Sequence, residues 1–310
     1  MFKRRMVFLV GPTASGKSAV AVCLAKKLNA EIISCDSMQV YNRMKILTSR
    51  PPKELTKRVK HHLSGFLNPA KVYNAGLFRK DALVQAEKIY KKGKIPLFVG
   101  GTGLYMSALI DGLFSVSHDK KLRRSLEEEA RAKGPGYLYR RLVKIDPVAA
   151  ARIHAHDARR IIRGLEVYAK SGKPISMLQK QRQGLGDGYK IRIFALDLER
   201  QKLYSRIDQR VERMFEEGLL KEAKALLCSR LSRTSRYALG LPEIKGYLQG
   251  KYGLNEAKRL IKRNSRHYAK RQLTWFKKDK RLEWIRIKDM DSPSAVAVRI
   301  FKHYHKGRPN

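Results

Sequence analysis

The sequence predicts an α/β fold: a parallel sheet flanked by helices, with an all-helical insertion domain. Three observations predict it. The apolar run Met6-Val7-Phe8-Leu9-Val10 reads as a buried parallel strand; it leads into Gly11-Pro12-Thr13-Ala14-Ser15-Gly16-Lys17-Ser18, after which Val20, Leu24 and Leu28 recur at a helical step. A second apolar run, Ile95 to Val99, leads into another glycine-rich turn, Gly100-Gly101-Thr102-Gly103-Leu104-Tyr105. From about Ser117 to Lys190 the strand-helix alternation stops and only helical patterns remain. The chain therefore divides into a core, residues 1–117 plus 190–310, and a helical insertion, residues 118–189. At 310 residues, 43% of them hydrophobic, it can bury a core of that size.

The turn after the first strand fits the phosphate-binding pattern G-x-x-x-x-G-K-[ST] in the strand-to-helix context the pattern requires. Successive N–H groups turn inward and the helix N-terminus adds partial positive charge. Lys17 supplies a full charge, and Ser18 can hydrogen-bond a phosphate oxygen or ligate Mg²⁺. Residues Gly11 to Ser18 are thus the candidate site for a di- or triphosphate group.

The next strand, Glu31 to Asp36, ends on a carboxylate, followed by Ser37-Met38-Gln39-Val40-Tyr41. Residues at the carboxyl ends of strands in an open α/β sheet face the ligand crevice, which places Asp36 near the phosphate loop; taken alone, such an aspartate more commonly caps a loop. Arg50 to Lys60, with Pro51-Pro52, reads as a loop. His61 and His62 have no third ligand at metal spacing and read as hydrogen-bonding or packing residues. Asp81 to Lys91 reads as a helix.

Within the insertion, Arg159-Arg160-Ile161-Ile162-Arg163 puts arginines on a helix with Arg152 nearby and only Asp157 in balance, which favours phosphate contacts. Gly184 to Gly188 closes the insertion as a flexible loop. Ile191 to Leu198 resumes the sheet. The helix after it has a buried stripe of Leu203, Ile207, Val211 and Met214, and a basic stripe of Arg206, Arg210 and Arg213, and it ends near Gly218. From Asn255 to about Lys277 comes the most basic helix. Arg259, Arg263, Arg266 and Lys270 share one face, widened by Lys262, His267 and Arg271, with Glu256 as its one acidic residue. Leu282 to Ile287 reads as the last strand, and the tail from Lys302 onward as polar and frayed.

The charge balance, 68 Lys+Arg against 27 Asp+Glu, is formally +41 and points to a polyanionic partner, most naturally nucleic acid. No apolar run approaches the 18 residues or so of a spanning helix, and the short N-terminal apolar run leads into the phosphate loop rather than a signal-peptide cleavage site. Cys23, Cys35 and Cys228 lack metal or disulfide spacing and read as small core or near-core residues in a reducing, cytoplasmic compartment.

The ordered set of motifs resembles the tRNA dimethylallyltransferases. It comprises the loop Gly11 to Ser18, Asp36-Ser37-Met38-Gln39-Val40-Tyr41, His61-His62-Leu63, Gly100 to Tyr105, Arg160-Ile161-Ile162-Arg163-x-Leu165-Glu166-Val167, Ser171-Gly172-Lys173-Pro174-Ile175-Ser176 and Ala269-Lys270-Arg271-Gln272-Leu273-Thr274-Trp275-Phe276. The resemblance covers nearly the whole chain and is to the short bacterial form without a zinc-finger extension. It implies a P-loop NTPase-like core, Mg²⁺, and transfer of a dimethylallyl group from dimethylallyl diphosphate to N6 of adenosine 37, beside the anticodon. On this resemblance Asp36 is the general base, Arg210 reaches the diphosphate with Arg206 as second choice, and Ser18 acts with them. Thr102, Arg123, Asp36 to Gln39 and Arg159 to Arg163 match segments that contact tRNA; the basic face adds Arg266 and Lys270. A monomer is expected.

The sequence departs from the family pattern in places. Lys45-Ile46-Leu47-Thr48-Ser49-Arg50 stands where the family usually has Asp-Ile-Gly-Thr-Ala-Lys. Lys60 replaces the usual proline before the histidines, Asp157-Ala158-Arg159-Arg160 stands for Asn-Pro-Gln-Arg, and Leu241 follows Gly240 in place of tyrosine. Three other readings compete. An adenylate isopentenyltransferase acting on free AMP, ADP or ATP needs neither the insertion nor the basic helix. A P-loop small-molecule kinase predicts ATP turnover, and a non-catalytic RNA-binding protein does not need Asp36, Lys17 and Ser18 together.

Overall fold

The structure, a computed structural model, describes residues 3–306. The chain forms two compact units: the residues up to Leu109 together with those from Asp187 onward, and Ile110–Gly186.

The first unit is built on a six-stranded parallel sheet in the order β3-β2-β4-β1-β5-β6. In chain order its first half comprises β1 (Arg4–Val10), α1 (Lys17–Leu28), β2 (Ala30–Ser34), α2 (Lys53–Arg58), β3 (His61–His62), α3 (Ala75–Tyr90), β4 (Ile95–Gly100) and α4 (Gly103–Ile110). β1 is central, with Phe8 in register with Phe98 of β4 on one side and Ile193 of the fifth strand on the other. Its side chains alternate between two buried faces, as a parallel strand covered on both sides requires. Val7 and Leu9 pack with Leu24 of α1 and with Phe194, Ile285 and Ile300. Phe8 points the other way and stacks on Phe98, ring centroids 4.7 Å apart. Asn74 caps α3 by accepting the N–H of Leu77 at 3.0 Å, which starts that helix earlier than the Asp81 read from the sequence.

The second unit is all-helical: α5 (Lys120–Lys133), α6 (Pro135–Ile145), α7 (Pro147–Ala150), α8 (Ala158–Ser171) and α9 (Ile175–Lys180). Leu126, Leu138, Leu142, Ile161, Ile162 and Leu165 form its core. Asp146 joins two elements, accepting the N–H groups of Ala149 and Ser176 at 2.9 Å each. The unit starts at Ile110, where the sequence reading placed residue 118, because the chain entering it lies against the chain leaving it: Leu185 N donates to Ile110 O at 3.0 Å.

The first unit resumes with β5 (Tyr189–Asp197), α10 (Arg200–Glu216), α11 (Leu219–Leu227), α12 (Leu241–Leu248), α13 (Leu254–Lys277), β6 (Leu282–Arg286) and α14 (Pro293–Lys306). Three expectations are corrected. The segment read as a loop after Pro52 holds the short helix α2. The chain is helical from Lys302 to Lys306, because Ile300 and Tyr304 bury one face of α14; the rest of the tail, 307–310, lies outside the described residues. Cys228 is exposed, whereas Cys35 is buried.

Because all the strands run parallel, the turns after β1, β2, β4 and β5 emerge at one edge of the sheet. That edge carries the candidate chemistry.

Candidate active site

The phosphate loop leaves β1 at Gly11 and enters α1 through Gly16, whose φ of 84° lies in the left-handed region that a Cβ disfavours. Within it, Ser15 N donates to Pro12 O at 3.3 Å and the Ser15 side chain is buried. Lys17 folds back onto its own loop: Nζ donates to Pro12 O at 2.6 Å and more weakly to Ser15 Oγ at 3.4 Å. Burial lowers the Lys17 ammonium to about 7, with Arg210 adding to the shift and Asp36 opposing it. Ser18 lies in the first turn of α1, half-buried.

Arg210 arrives from α10, whose buried stripe of Leu203, Ile207, Val211 and Met214 is the one the sequence predicts. Its Nη1 donates to Thr13 Oγ1 at 2.6 Å. Burial lowers its guanidinium as well, again opposed by Asp36. Arg206, one turn earlier, brings Nη1 within 3.9 Å of the point a Cβ on Gly16 would occupy. Asp36 thus shares its electrostatic environment with both cations.

Asp36 itself follows β2. Its Oδ1 accepts the N–H groups of Met38 at 2.9 Å and Gln39 at 3.3 Å, so it does cap its loop as an isolated aspartate would. Both bonds fall on Oδ1 and leave Oδ2 outside the cap. Ser37 N donates to Thr102 Oγ1 at 3.0 Å, which ties this loop to the second glycine-rich turn. Ser34 Oγ donates to Gln39 Oε1 at 3.4 Å.

Gln272 of α13 was missed as a site residue. Buried, it accepts the N–H of Thr13 at 2.8 Å and donates from Nε2 to Gly101 O at 2.9 Å, bridging the two glycine-rich turns. A Cβ on Gly101 would come 2.1 Å from that Nε2, so any larger residue there would displace the Gln272 amide from the bridge. The signal was present: Ile261, Ser265, Ala269, Gln272 and Phe276 form the buried stripe of α13, and a glutamine in such a stripe needs partners. Tyr268 also borders the site, where burial and the nearby Asp36 carboxylate push its phenol up.

A cavity of about 20 Å³ adjoins the loop. Leu47, Val211, Met214 and Ile261 give it apolar walls, and Thr13 and Arg210 are among its lining residues.

The structure revises the expected RNA-binding residues. Ile161 and Ile162 are 0% and 3% exposed, so their side chains belong to the core of the helical unit and not to an RNA surface. Arg163 is held inside that unit, donating to the buried Glu166 carboxylate at 2.8 Å and to Val116 O at 2.9 Å. Arg159 and Arg160 are exposed, Arg160 3.4 Å from Asp157; Arg123 is half-buried on α5. On α13, α10 supplies the acidic partners that the helix's own sequence lacks. Arg266 forms a two-pronged ion pair with Asp208, and Lys258 and Lys262 both reach Glu212, at 2.6 and 2.5 Å. Arg263, His267, Lys270 and Arg271 stay exposed. His62 Nε2 lies 2.7 Å from the buried Glu31 carboxylate and His61 Nδ1 lies 2.8 Å from Val59 O, so both histidines make the hydrogen bonds expected of them.

A parallel sheet with this loop between its central strand and the following helix defines a P-loop-like α/β protein. Comparison with known proteins narrows that class. Residues 39–279 match the family model described as IPP transferase, and residues 4–68 match that described as isopentenyl transferase. A tRNA dimethylallyltransferase of Carboxydothermus hydrogenoformans is 47% identical over 283 residues, 90% of this chain and 91% of that protein. One of Thermotoga neapolitana is 46% identical over 91% of this chain and 92% of that protein. Among solved structures, a tRNA isopentenylpyrophosphate transferase from Bacillus halodurans superposes with a TM-score of 0.72 at 38% identity, covering 98% of this chain and 96% of that one. A eukaryotic dimethylallyltransferase acting on tRNA gives 0.80 at 28% identity, covering 99% of this chain and 80% of that one. This chain belongs to the IPP transferase family, alongside the tRNA dimethylallyltransferases.

Proposed function

We propose that this protein transfers a dimethylallyl group from dimethylallyl diphosphate to N6 of adenosine 37 in tRNA, giving N6-dimethylallyladenosine and diphosphate. The observation that carries the reading is the meeting of Asp36, Lys17 and Arg210 at one edge of the sheet, next to an apolar cavity lined by Leu47 and Met214.

The exocyclic amine of adenine is a weak nucleophile because its lone pair is delocalised into the ring. As the C–N bond forms, the nitrogen becomes acidic and a carboxylate can take its proton. Asp36 is suited to this role because backbone amides fix its Oδ1 while Oδ2 stays outside the cap. As the allylic C–O bond breaks, negative charge builds on the diphosphate. The inward N–H groups of the loop, the ammonium of Lys17 and the guanidinium of Arg210 lie where they can stabilise that charge. The apolar walls suit the dimethylallyl group. At about 20 Å³ the cavity holds little more than one water, so entry of five carbons requires side chains such as Met214, which is unbranched, to give way.

The donor set fits Mg²⁺ in the way that ion binds beside phosphates. Ser18 would supply one oxygen and the substrate diphosphate and water the rest, which needs no cluster of acidic protein ligands. Bound there, Mg²⁺ would add charge stabilisation for the departing diphosphate.

The partners in this reading are dimethylallyl diphosphate and a tRNA anticodon stem-loop. The exposed basic residues of α13 and of the helical unit would neutralise phosphates, and the reactive base must leave its stack to reach Asp36. Among the described residues no helix is long and apolar enough to cross a membrane. A monomer working on tRNA in the cytoplasm is the simplest arrangement.

The test supplies protein, Mg²⁺ and labelled dimethylallyl diphosphate, with anticodon stem-loop RNA and AMP offered in parallel. Label in the RNA, lost when adenosine 37 is replaced by guanosine, supports the proposal. Label in AMP alone transfers the assignment to an adenylate isopentenyltransferase. ATP hydrolysis without prenyl transfer would leave a kinase or ATPase.

A further inference from the structure

Glu222, in the first turn of α11, is used by nothing described so far, yet its carboxylate is wrapped by distant backbone. Oε2 accepts the N–H of Lys45 at 2.9 Å and of Ile46 at 3.0 Å, and Oε1 accepts the N–H of Leu47 at 2.8 Å. Three successive inward N–H groups make a backbone anion nest, and here the chain supplies the anion itself. The segment closes around it: Ser49 N donates to Ile46 O at 2.9 Å and Arg50 N to Lys45 O at 3.0 Å. Ser49 takes a left-handed φ of 44° to make the turn.

This is one of the segments where the sequence departs from the family pattern. Every bond that Glu222 accepts comes from main-chain N–H, so this pinning does not depend on which side chains residues 45–47 carry. What the turn positions does matter. Leu47, buried, is a wall of the cavity beside Thr13 and Arg210. Ser49 Oγ donates to Met214 Sδ, another wall, at 3.9 Å. The Thr48 carbonyl accepts from Gln39 Nε2 at 3.3 Å, holding the residue whose N–H caps Asp36.

We propose that Glu222 is a positioning residue that pins residues 45–47, and thereby fixes the Leu47 wall that limits the length of allylic diphosphate the site accepts. The inference rests on the prenyl-transfer reading above. Removing the carboxylate frees the turn, lets Leu47 retreat, and relaxes discrimination against a longer chain.

The experiment compares wild type, Glu222→Ala, Glu222→Gln and Leu47→Ala. Glutamine keeps the size but turns an N–H₂ group toward backbone donors. For each protein kcat and KM are measured with dimethylallyl diphosphate and with the ten-carbon geranyl diphosphate, and KM for tRNA is measured separately. Amide hydrogen exchange is followed at residues 45–47. Both Glu222 variants are expected to speed exchange at those amides and to raise KM for dimethylallyl diphosphate about tenfold, leaving KM for tRNA within about twofold. They should also raise the relative kcat/KM for geranyl diphosphate about tenfold. Leu47→Ala should relax chain-length discrimination in the same direction without speeding exchange. Unchanged exchange in Glu222→Ala overturns the pinning. Faster exchange with unchanged discrimination overturns the role of the turn as a wall. Failure of the wild type to prenylate RNA would instead refute the underlying reading, and the exchange measurement does not depend on it.

Discussion

Replacing Gln272 with leucine keeps the volume of a buried side chain and deletes the only bridge described between the phosphate loop and the second glycine-rich turn. In the native protein the amide satisfies Thr13 N at 2.8 Å and Gly101 O at 2.9 Å. Leucine leaves a donor and an acceptor unpaired in a place with little water. Each costs about 1–3 kcal/mol, so the variant should lose about 2–6 kcal/mol of local stability. Thr13 also carries the hydroxyl to which Arg210 donates, so the loss reaches the cation expected to hold the leaving group. If about 1.4 kcal/mol of it appears as lost preorganisation, KM for dimethylallyl diphosphate rises about tenfold. Urea denaturation reads the stability change, and steady-state transfer to an anticodon stem-loop reads KM. Gln272→Glu is the informative companion. A carboxylate can still accept from Thr13 N, but it opposes Gly101 O and places negative charge beside the diphosphate site, so it should weaken diphosphate binding more than leucine does. A Gln272→Leu protein with an unchanged urea midpoint and KM within twofold of wild type would refute the bridge as an organiser of the loop.

Three further predictions follow from the same site. Asp36→Ala should lower kcat by about 10²–10⁴ while tRNA binding, read by filter retention, changes little; wild-type turnover would remove Asp36 from the chemistry. Lys17 stands at about 7 in the free protein, below its ordinary value, so it is largely neutral above that pH; binding an anionic diphosphate favours the ammonium and takes up a proton. Affinity should therefore fall as pH rises from about 7 to 9, by up to roughly tenfold per unit, and Lys17→Arg should flatten that limb; a wild-type limb that matches the arginine variant would refute the argument. On α13, Arg263→Ala and Lys270→Ala should each reduce the log–log salt slope of tRNA binding by about 0.7–0.9. Arg266→Ala, which breaks the pair with Asp208, should chiefly lower the melting temperature. Equal slopes for all three would mean that pairing with α10 does not decide which cations meet RNA.

Where the sequence was legible, a short-range rule was enough. The strand, loop and first helix announce themselves through Val7, Leu9, Gly16 and Leu24, because burial and left-handed geometry are local demands. The long stripe from Leu203 to Met214 is equally plain. What sequence reading missed depends on partners far along the chain. Nothing near Arg266 reveals that Asp208 neutralises it, and the shortage of acids within α13 suggested a bare basic face that α10 in fact partly covers. Ile161 and Ile162 fall in the expected RNA-binding set because they lie inside a segment that resembles one contacting tRNA in the family, although their apolar character argues for the core they occupy. The tail after Lys302 looks polar only when Ile300 and Tyr304 are read without the sheet they cover.

The resting partners of the cations carry a further argument about which of them act on substrate. Arg163, Arg192, Arg266, Lys258 and Lys262 each sit against a carboxylate. Lys17 and Arg210 do not: one donates to a carbonyl and a hydroxyl of its own loop, the other to the Thr13 hydroxyl. A cation that trades a carboxylate for a phosphate gains little, since one charge-assisted bond replaces another. A cation that trades a neutral acceptor for a phosphate gains the difference between an ordinary and a charge-assisted hydrogen bond. Asp36 is close enough to favour the charged forms of both cations, yet its hydrogen bonds go to backbone amides and not to them. Asp36 thus offsets part of the burial that disfavours their charged forms without consuming their donors. In the proposed reaction such an arrangement would let the same carboxylate serve the incoming amine while the two cations serve the outgoing diphosphate.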